Sequence, residues 1–240
     1  MVYDIDLMLK HVDILQVGTR NMANYSLLKR LGEVGCPILL KRGLSATFSE
    51  WLQAAEYLLA AGNEKVILCE RGIRTYSNHS RNTLDLNVVP LARERTHLPV
   101  VVDPSHGVGD SSRVRAMSRA AMACGAQGLL LEVHTDPSTA YSDGQQTVDM
   151  DTLQGILRDR ETLSMLADWR GHGEDFAPGD KFRQARLQTT QSDGDTVGQG
   201  CGQQNSMVRH CAHEASPMAF PRNSDSDLLF LPSPIAEQEP

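Results

Sequence analysis

Four stretches share one design: PILLKRG at residues 37–43, KVILCERGIR at 65–74, LPVVVDPSH at 98–106 and GLLLEVH at 128–134. Each is a short apolar run that stops on charged or imidazole side chains. A continuous apolar run bounded by Gly or Pro reads as a strand buried on both faces, the mark of a parallel sheet. Lys41, Glu70, Arg71, His106 and Glu132 then stand where strands end. In open α/β sheets and in (β/α)₈ barrels, that edge is where ligands bind. The pattern predicts an α/β fold with an anion and metal site along one edge of the sheet.

The sequence around these runs alternates accordingly. DILQVG at 13–18 reads as a further strand, followed by a helix over about 22–34 with Leu27, Leu28 and Leu31 on one face. After PILLKRG, TFSEWLQAAEYLLAAG offers Thr47 or Ser49 as N-cap, a stripe of Trp51, Leu52, Ala55, Leu58 and Leu59, and Gly62 as the stop. Helical patterns are expected near 82–95, 111–124 and 149–169. Five βα units in register imply a parallel sheet with right-handed crossovers.

Composition narrows the function. A 240-residue chain suits one domain with an appendage. Its formal net charge of -7 supplies no overall basic field for nucleic acid. No apolar run approaches the roughly 20 residues that span a bilayer. The opening MVYDIDLMLKHVDIL carries Asp4, Asp6 and Asp13 and lacks a small-residue cleavage site, so no secretory signal is expected. The 5 cysteines show no framework spacing and read as reduced thiols of a cytoplasmic protein. Residues 171–240 are polar and aperiodic apart from LLFLP, and are expected to be disordered. Cys201, His210, Cys211 and His213 within them match no zinc spacing and read as chance neighbours.

Two constellations carry chemistry. Arg20 in QVGTRN, Lys41 in KRG and Arg71 in ERGIR are three cations at neighbouring strand tips. Guanidinium forks suit phosphate oxygens, and an ammonium is a compact charge for a carboxylate or phosphate. Singly, each also reads as a solvated loop charge; three together favour a ligand. His106, Glu132 and Asp143 form the second group. Glu132 interrupts the apolar run LLLEV, where an unpaired carboxylate is costly. One imidazole with two carboxylates suits Mn²⁺, Fe²⁺, Co²⁺ or Zn²⁺ better than Mg²⁺ or Ca²⁺. The bland alternative is a loop histidine and a Glu132 paired with a strand-end Arg.

The blocks QVGTRNM, PILLKRGLSAT, VILCERGIRTY, RNTLDL, LPVVVDPSHG and LEVHTDP…SDG, in this order, resemble 3-deoxy-D-arabino-heptulosonate-7-phosphate (DAHP) synthase, class I, the branch shared with 3-deoxy-octulosonate-8-phosphate synthase. The resemblance implies a (β/α)₈ TIM-barrel enzyme that condenses phosphoenolpyruvate with erythrose 4-phosphate at the head of the shikimate pathway. It implies that Arg20 and Arg71 bind the phosphoenolpyruvate phosphate and that Lys41 faces its carboxylate as a catalytic cation. Glu70 is expected to line the same pocket. His106, Glu132 and Asp143 match three of four ligands of a divalent metal, with His106 also catalytic.

The chain also departs from the family. The motifs correspond to about five of the eight βα units, so a partial barrel over residues 1–170 is expected. A cysteine that is the fourth metal ligand and a KPRTS-type loop for the erythrose 4-phosphate phosphate have no counterpart. Neither Cys36 nor Cys69 replaces that ligand by motif, and HGVGD and SDGQQ differ from the common forms. The expected activity is therefore impaired. Alternatives are a non-catalytic fragment, a subunit completed by another chain, or the octulosonate synthase. Two open sheet edges would favour self-association, so a homo-oligomer is among the expectations.

Overall fold

The computed structural model describes residues 4–169 and 226–232. After a short helix α1 (Ile5–Met8), the strands β1 (Leu15–Val17), β2 (Ile38–Lys41), β3 (Val66–Glu70), β4 (Val100–Val102) and β5 (Gly128–His134) pair in chain order, each parallel to the last. Helices α2 (Tyr25–Gly32), α3 (Phe48–Ala60) and α4 (Val88–Arg95) connect the first four strands. A short α5 (Pro104–Val108) and α6 (Ser111–Ala123) connect β4 to β5, and α7 (Met150–Trp169) follows β5. The result is an α/β curled half-barrel, the partial TIM barrel expected from the sequence.

Strand periodicity splits the core in two. Ile38, Leu40, Val66, Leu68, Val100, Val102, Leu129 and Leu131 pack in one cluster with Leu28, Trp51, Leu58, Val89, Val114 and Ile156 from the helices. The opposite parity, Leu39, Ile67, Cys69, Val101 and Leu130, forms a separate buried layer with Ile14. Successive side chains of a strand point to opposite faces, so the helices cover one face and the second layer lines the concave one. Each fully buried Val, Leu or Ile contributes about 1.5–3 kcal/mol.

Local signals place the helices. Thr47 caps α3 through a capping box: its side chain accepts from the Glu50 N–H, and Glu50 accepts from the Thr47 N–H at 2.7 Å. Trp51 Nε1 donates to the Leu40 carbonyl at 3.2 Å, tying α3 to β2. Buried Asn63 donates from Nδ2 to the carbonyls of Leu31, Val34 and Cys36, which closes the turn between α2 and β2. Gly32 lets α2 and α3 touch, since a Cβ there would lie 2.3 Å from that of Ala61.

Two expectations change. Helix α2 is shorter than the periodicity suggests, because Asn24 caps it by accepting from the Leu27 N–H. The helix expected from residue 82 begins at Val88: Thr83 pairs with Ile73 in a β-bridge, and Asn82 donates to the His106 carbonyl at 3.0 Å. Tertiary hydrogen bonds there outcompete local helix propensity. Beyond β4, DPSH starts α5, with Asp103 as N-cap and Pro104 at the first helical position.

The 171–240 segment also differs at one place. Ser226–Pro232 forms β6, antiparallel to β5 and in register along its whole length, from Gly128 opposite Pro232 to His134 opposite Ser226. One of the two edges expected to be open is thus paired, because a strand edge offers a row of N–H and C=O groups that an extended segment can satisfy. The cysteine and histidine neighbours at 201–213 lie outside the described residues.

Candidate active site

Strand parity sorts the tip residues before any distance is measured. Leu39, Ile67, Val101 and Leu130 belong to the concave layer, so Lys41, Arg71, Asp103 and Glu132, each an even number of positions further on, aim to the same face. Arg42 and Glu70 have the other parity and aim toward the helices. Two charged clusters result.

The concave cluster centres on Asp103, which is fully buried. Its Oδ1 accepts from the His106 main-chain N–H at 2.9 Å. Its Oδ2 lies 2.8 Å from Lys41 Nζ and 2.8 Å from His106 Nδ1. Neither approach has hydrogen-bond alignment: among the described residues Asp103 Oδ2 and His106 Nδ1 complete no hydrogen bond. Burial by itself would raise the Asp103 carboxyl, but the neighbouring His106 and Lys41 hold it well below the usual carboxylate range.

On its far side, His106 Nε2 stands 3.1 Å from Glu132 Oε1. Glu132 Oε2 accepts from Gln146 Nε2 at 2.8 Å, and Gln146 Oε1 accepts from Arg81 Nη1 at 2.5 Å. Arg81 Nη1 is also 3.2 Å from Asp143 Oδ1. Desolvation pushes the Glu132 carboxyl above its ordinary value, against the pull of His106. Asp143 sits at a left-handed φ of 52°, on the turn after β5. One ligand atom from each of His106, Glu132 and Asp143 lies within 4.8 Å of the others. One nitrogen and two oxygens converge, and a half-buried carboxylate there gains from a cation. The residues present fit a divalent metal.

The predicted cations separate by environment. Lys41 and Arg71 are buried, and Arg71 Nη1 has no hydrogen-bond partner among the described residues. A buried guanidinium with a spare donor is suited to an incoming anion. Arg20 sits in a 3₁₀ turn (Thr19–Asn21) directly after β1, and is exposed. Cys69 lies beneath them in the concave layer; burial pushes its thiol pKa strongly up, with Lys41 pulling the other way. It behaves as a buried hydrophobe, not as a reactive thiolate.

Glu70, expected to line the phosphoenolpyruvate pocket, instead occupies the second cluster, on the helix side. Its Oε2 is 2.8 Å from Arg42 Nη1, and its Oε1 accepts from the Gly72 N–H at 2.6 Å. Arg42 Nη1 reaches Asp85 Oδ2 at 3.0 Å, and its Nε donates to the Ala46 carbonyl. Burial raises the Glu70 carboxyl and Arg42 opposes it. Gly72 is fixed here by φ of 91° and by crowding, since a Cβ would meet Asn82 at 2.8 Å.

Sequence reasoning singled out neither Arg42, Asp85, Asp103, Gln146 nor Arg81. Two signals were readable: Arg42 and Lys41 are adjacent and so of opposite parity, and an Asp before Pro at a strand end is an N-cap signature. Gln146 and Arg81 carried no such signal, because their meeting joins two loops distant in sequence.

Comparison with known proteins follows the same lines. Residues 2–167 match the DAHP synthetase I family. A phospho-2-dehydro-3-deoxyheptonate aldolase of Thermotoga maritima is 45% identical over 161 residues, covering 67% of this chain and 48% of that protein. A 2-dehydro-3-deoxyphosphooctonate aldolase of Methylococcus capsulatus is 32% identical over 166 residues, covering 65% and 56% respectively. The crystal structure of the Thermotoga maritima DAHP synthase superposes with TM-score 0.69 at 43% identity, covering 70% of this chain and 49% of that one. A truncated form of the 3-deoxy-D-arabino-heptulosonate 7-phosphate synthase from Thermotoga maritima gives 0.68, with 64% of that chain covered. The chain spans about half the length of the curated relatives it matches.

Proposed function

This chain belongs to the DAHP synthetase I family, and on that premise we propose that its concave cluster is the phosphoenolpyruvate and metal part of a DAHP synthase active site. The reaction is condensation of phosphoenolpyruvate with erythrose 4-phosphate in the shikimate pathway, in the cytoplasm. One juxtaposition carries the reading: Lys41, Arg71 and Glu132 share the parity of the concave layer, and the ligand atoms of His106 and Asp143 lie within 4.8 Å of that of Glu132. The heptulosonate substrate is favoured over the octulosonate one by 45% against 32% identity.

The residues divide the work. Arg71, with a spare buried donor, and Arg20 clamp the phosphate of phosphoenolpyruvate, while Lys41 faces its carboxylate. Held so, C3 of the enol is presented to the aldehyde carbon of the second substrate. A C–C bond forms, positive charge develops at C2 and negative charge on the former aldehyde oxygen. Water adds at C2, and the tetrahedral carbon then collapses to a ketone as the C–O bond to phosphate breaks. Fixed cations that oppose charge as it develops stabilise such a transition state. His106, Glu132 and Asp143 would hold a divalent ion, Mn²⁺, Fe²⁺, Co²⁺ or Zn²⁺, which supplies Lewis acidity.

A second reading is favoured by a specific observation. Among the described residues five parallel strands are present, not the eight of a closed barrel, and no KPRTS-type sequence occurs in the 240 residues. In that reading the chain binds phosphoenolpyruvate and metal but needs further strands to orient the aldehyde. Orienting two reactants supplies up to roughly 7–11 kcal/mol of a barrier. The test is an assay of the purified chain with Mn²⁺ and both substrates, following loss of enol absorbance. Phosphoenolpyruvate binding with turnover far below a full-length relative is expected. Turnover near that of the relative would reject the second reading. A folded sample that binds no phosphoenolpyruvate at millimolar concentration would reject both.

A further inference from the structure

We infer that Asp103 is the positioning residue of the metal centre: it turns His106 so that Nε2 is the nitrogen offered to the ion. The inference rests on reading His106, Glu132 and Asp143 as metal ligands. Asp103 has a different task for each of its oxygens. Oδ1 accepts from the His106 main-chain N–H at 2.9 Å and so fixes the turn that carries the imidazole. Oδ2 stands 2.8 Å from Nδ1 of the same ring, while Nε2 points the other way, 3.1 Å from Glu132 Oε1.

A carboxylate beside Nδ1 favours the tautomer with the proton on Nδ1, which leaves the Nε2 lone pair bare. The opposite tautomer would place an N–H where the ion binds. Two features hold the carboxylate in place. Its own main-chain N–H donates to the Glu70 carbonyl at 2.7 Å, continuing the β3–β4 ladder. Lys41 Nζ, buried and 2.8 Å from Oδ2, flanks that oxygen on its other side. The 2.8 Å separation puts Oδ2 within reach of a proton on Nδ1.

A merely structural role is separable, because Asp103 also caps α5. Asn caps a helix about as well as Asp, so Asp103→Asn keeps the cap and removes the anion. Its amide would donate to Nδ1 and drive the proton to Nε2. The experiment uses the chain labelled with ¹⁵N-histidine, with long-range ¹H–¹⁵N spectra at a pH where the ring is neutral, and a Mn²⁺ titration followed by electron paramagnetic resonance.

In the unmodified chain the His106 proton is expected on Nδ1. In Asp103→Asn it moves to Nε2, and Mn²⁺ affinity falls about 10–100-fold, the usual effect of losing a ligand's hydrogen-bond partner. Equal tautomer and affinity in the two proteins would show that Asp103 is a cap alone. Should the variant not fold, the unmodified chain decides: a proton on Nε2 overturns the inference. Failure of the unmodified chain to bind Mn²⁺ removes the metal reading itself and this inference with it, whereas binding with the wrong tautomer removes the inference only.

Discussion

The two charged clusters lie one residue apart along the same strands and are built to opposite ends. On the helix side, Glu70 has both oxygens engaged, by Arg42 and by the Gly72 N–H, and Arg42 is further held by Asp85 and the Ala46 carbonyl. On the concave side, Arg71 Nη1, Asp103 Oδ2 and His106 Nδ1 are buried without an aligned partner among the described residues. Buried polar groups are ordinarily satisfied, and an exception calls for a reason. The closed cluster spends its charges on holding loops together. The open one keeps the Arg71 donor in reserve for a ligand. Residue type cannot tell these apart, since each cluster mixes cations and carboxylates; hydrogen-bond completeness can.

The largest expected effect breaks the closed cluster. Arg42→Met leaves the Glu70 carboxylate buried without its cation, and removing one partner of a buried pair costs about 3–5 kcal/mol. Urea denaturation should show this loss, and Glu70→Gln in the same chain should recover much of it, because the amide oxygen still accepts from the Gly72 N–H. A small effect of Arg42→Met would mean that the helix-side cluster is not structural.

The second effect is smaller and of another kind. Arg71→Ala removes a group with a spare donor, so stability should change little. Phosphoenolpyruvate affinity should fall by about 1.5–3 kcal/mol, the range for a charge-assisted hydrogen bond. Calorimetry on the folded variant checks it. A variant that loses stability but binds normally would reverse the assignment of the two clusters.

The smallest effect sets the outer reference. Asp159 on α7 is gripped by Arg115 and Arg119 of α6 at 2.7 and 2.6 Å, and the Arg115 hydrogen bond leads in holding its carboxyl well below the ordinary range. A depressed folded value stabilises the fold above the unfolded carboxylate pKa, and the gain disappears as pH falls through the folded value. Asp159→Asn should therefore lower Tm at neutral pH by only about 2–4 °C, because both arginines are half exposed. The gap to the unmodified chain should narrow as pH drops below the ordinary carboxylate range. A gap that stays constant from neutral to acid pH would show that the clamp contributes packing and not charge.

Much of this was legible in the chain itself. The apolar runs PILL, VILC, PVVV and GLLL became β2 to β5 because a strand covered on both faces needs apolar residues of both parities. Thr47 with Glu50, and Gly62 after the last apolar turn, set the limits of α3 through local hydrogen bonds and glycine geometry. His106, Glu132 and Asp143 could be grouped from residue type, and the structure brings their ligand atoms within 4.8 Å.

What the sequence determined by itself is what short-range physics governs: strand identity from burial, the ends of α3 from capping, and the alternation that sends the adjacent Lys41 and Arg42 to opposite faces. Tertiary structure decided the rest. Whether Glu70 serves the site or the scaffold depends on Arg42 and Asp85 arriving from other loops. The start of α4 at Val88 depends on Asn82 reaching the His106 carbonyl. The pairing of Ser226–Pro232 along β5 depends on an edge formed about a hundred residues earlier in the chain. These outcomes turn on which of several polar partners reaches a buried group first and best aligned. That is a property of three-dimensional proximity in a medium where an unmet hydrogen bond is costly, and no local reading of residue types contains it.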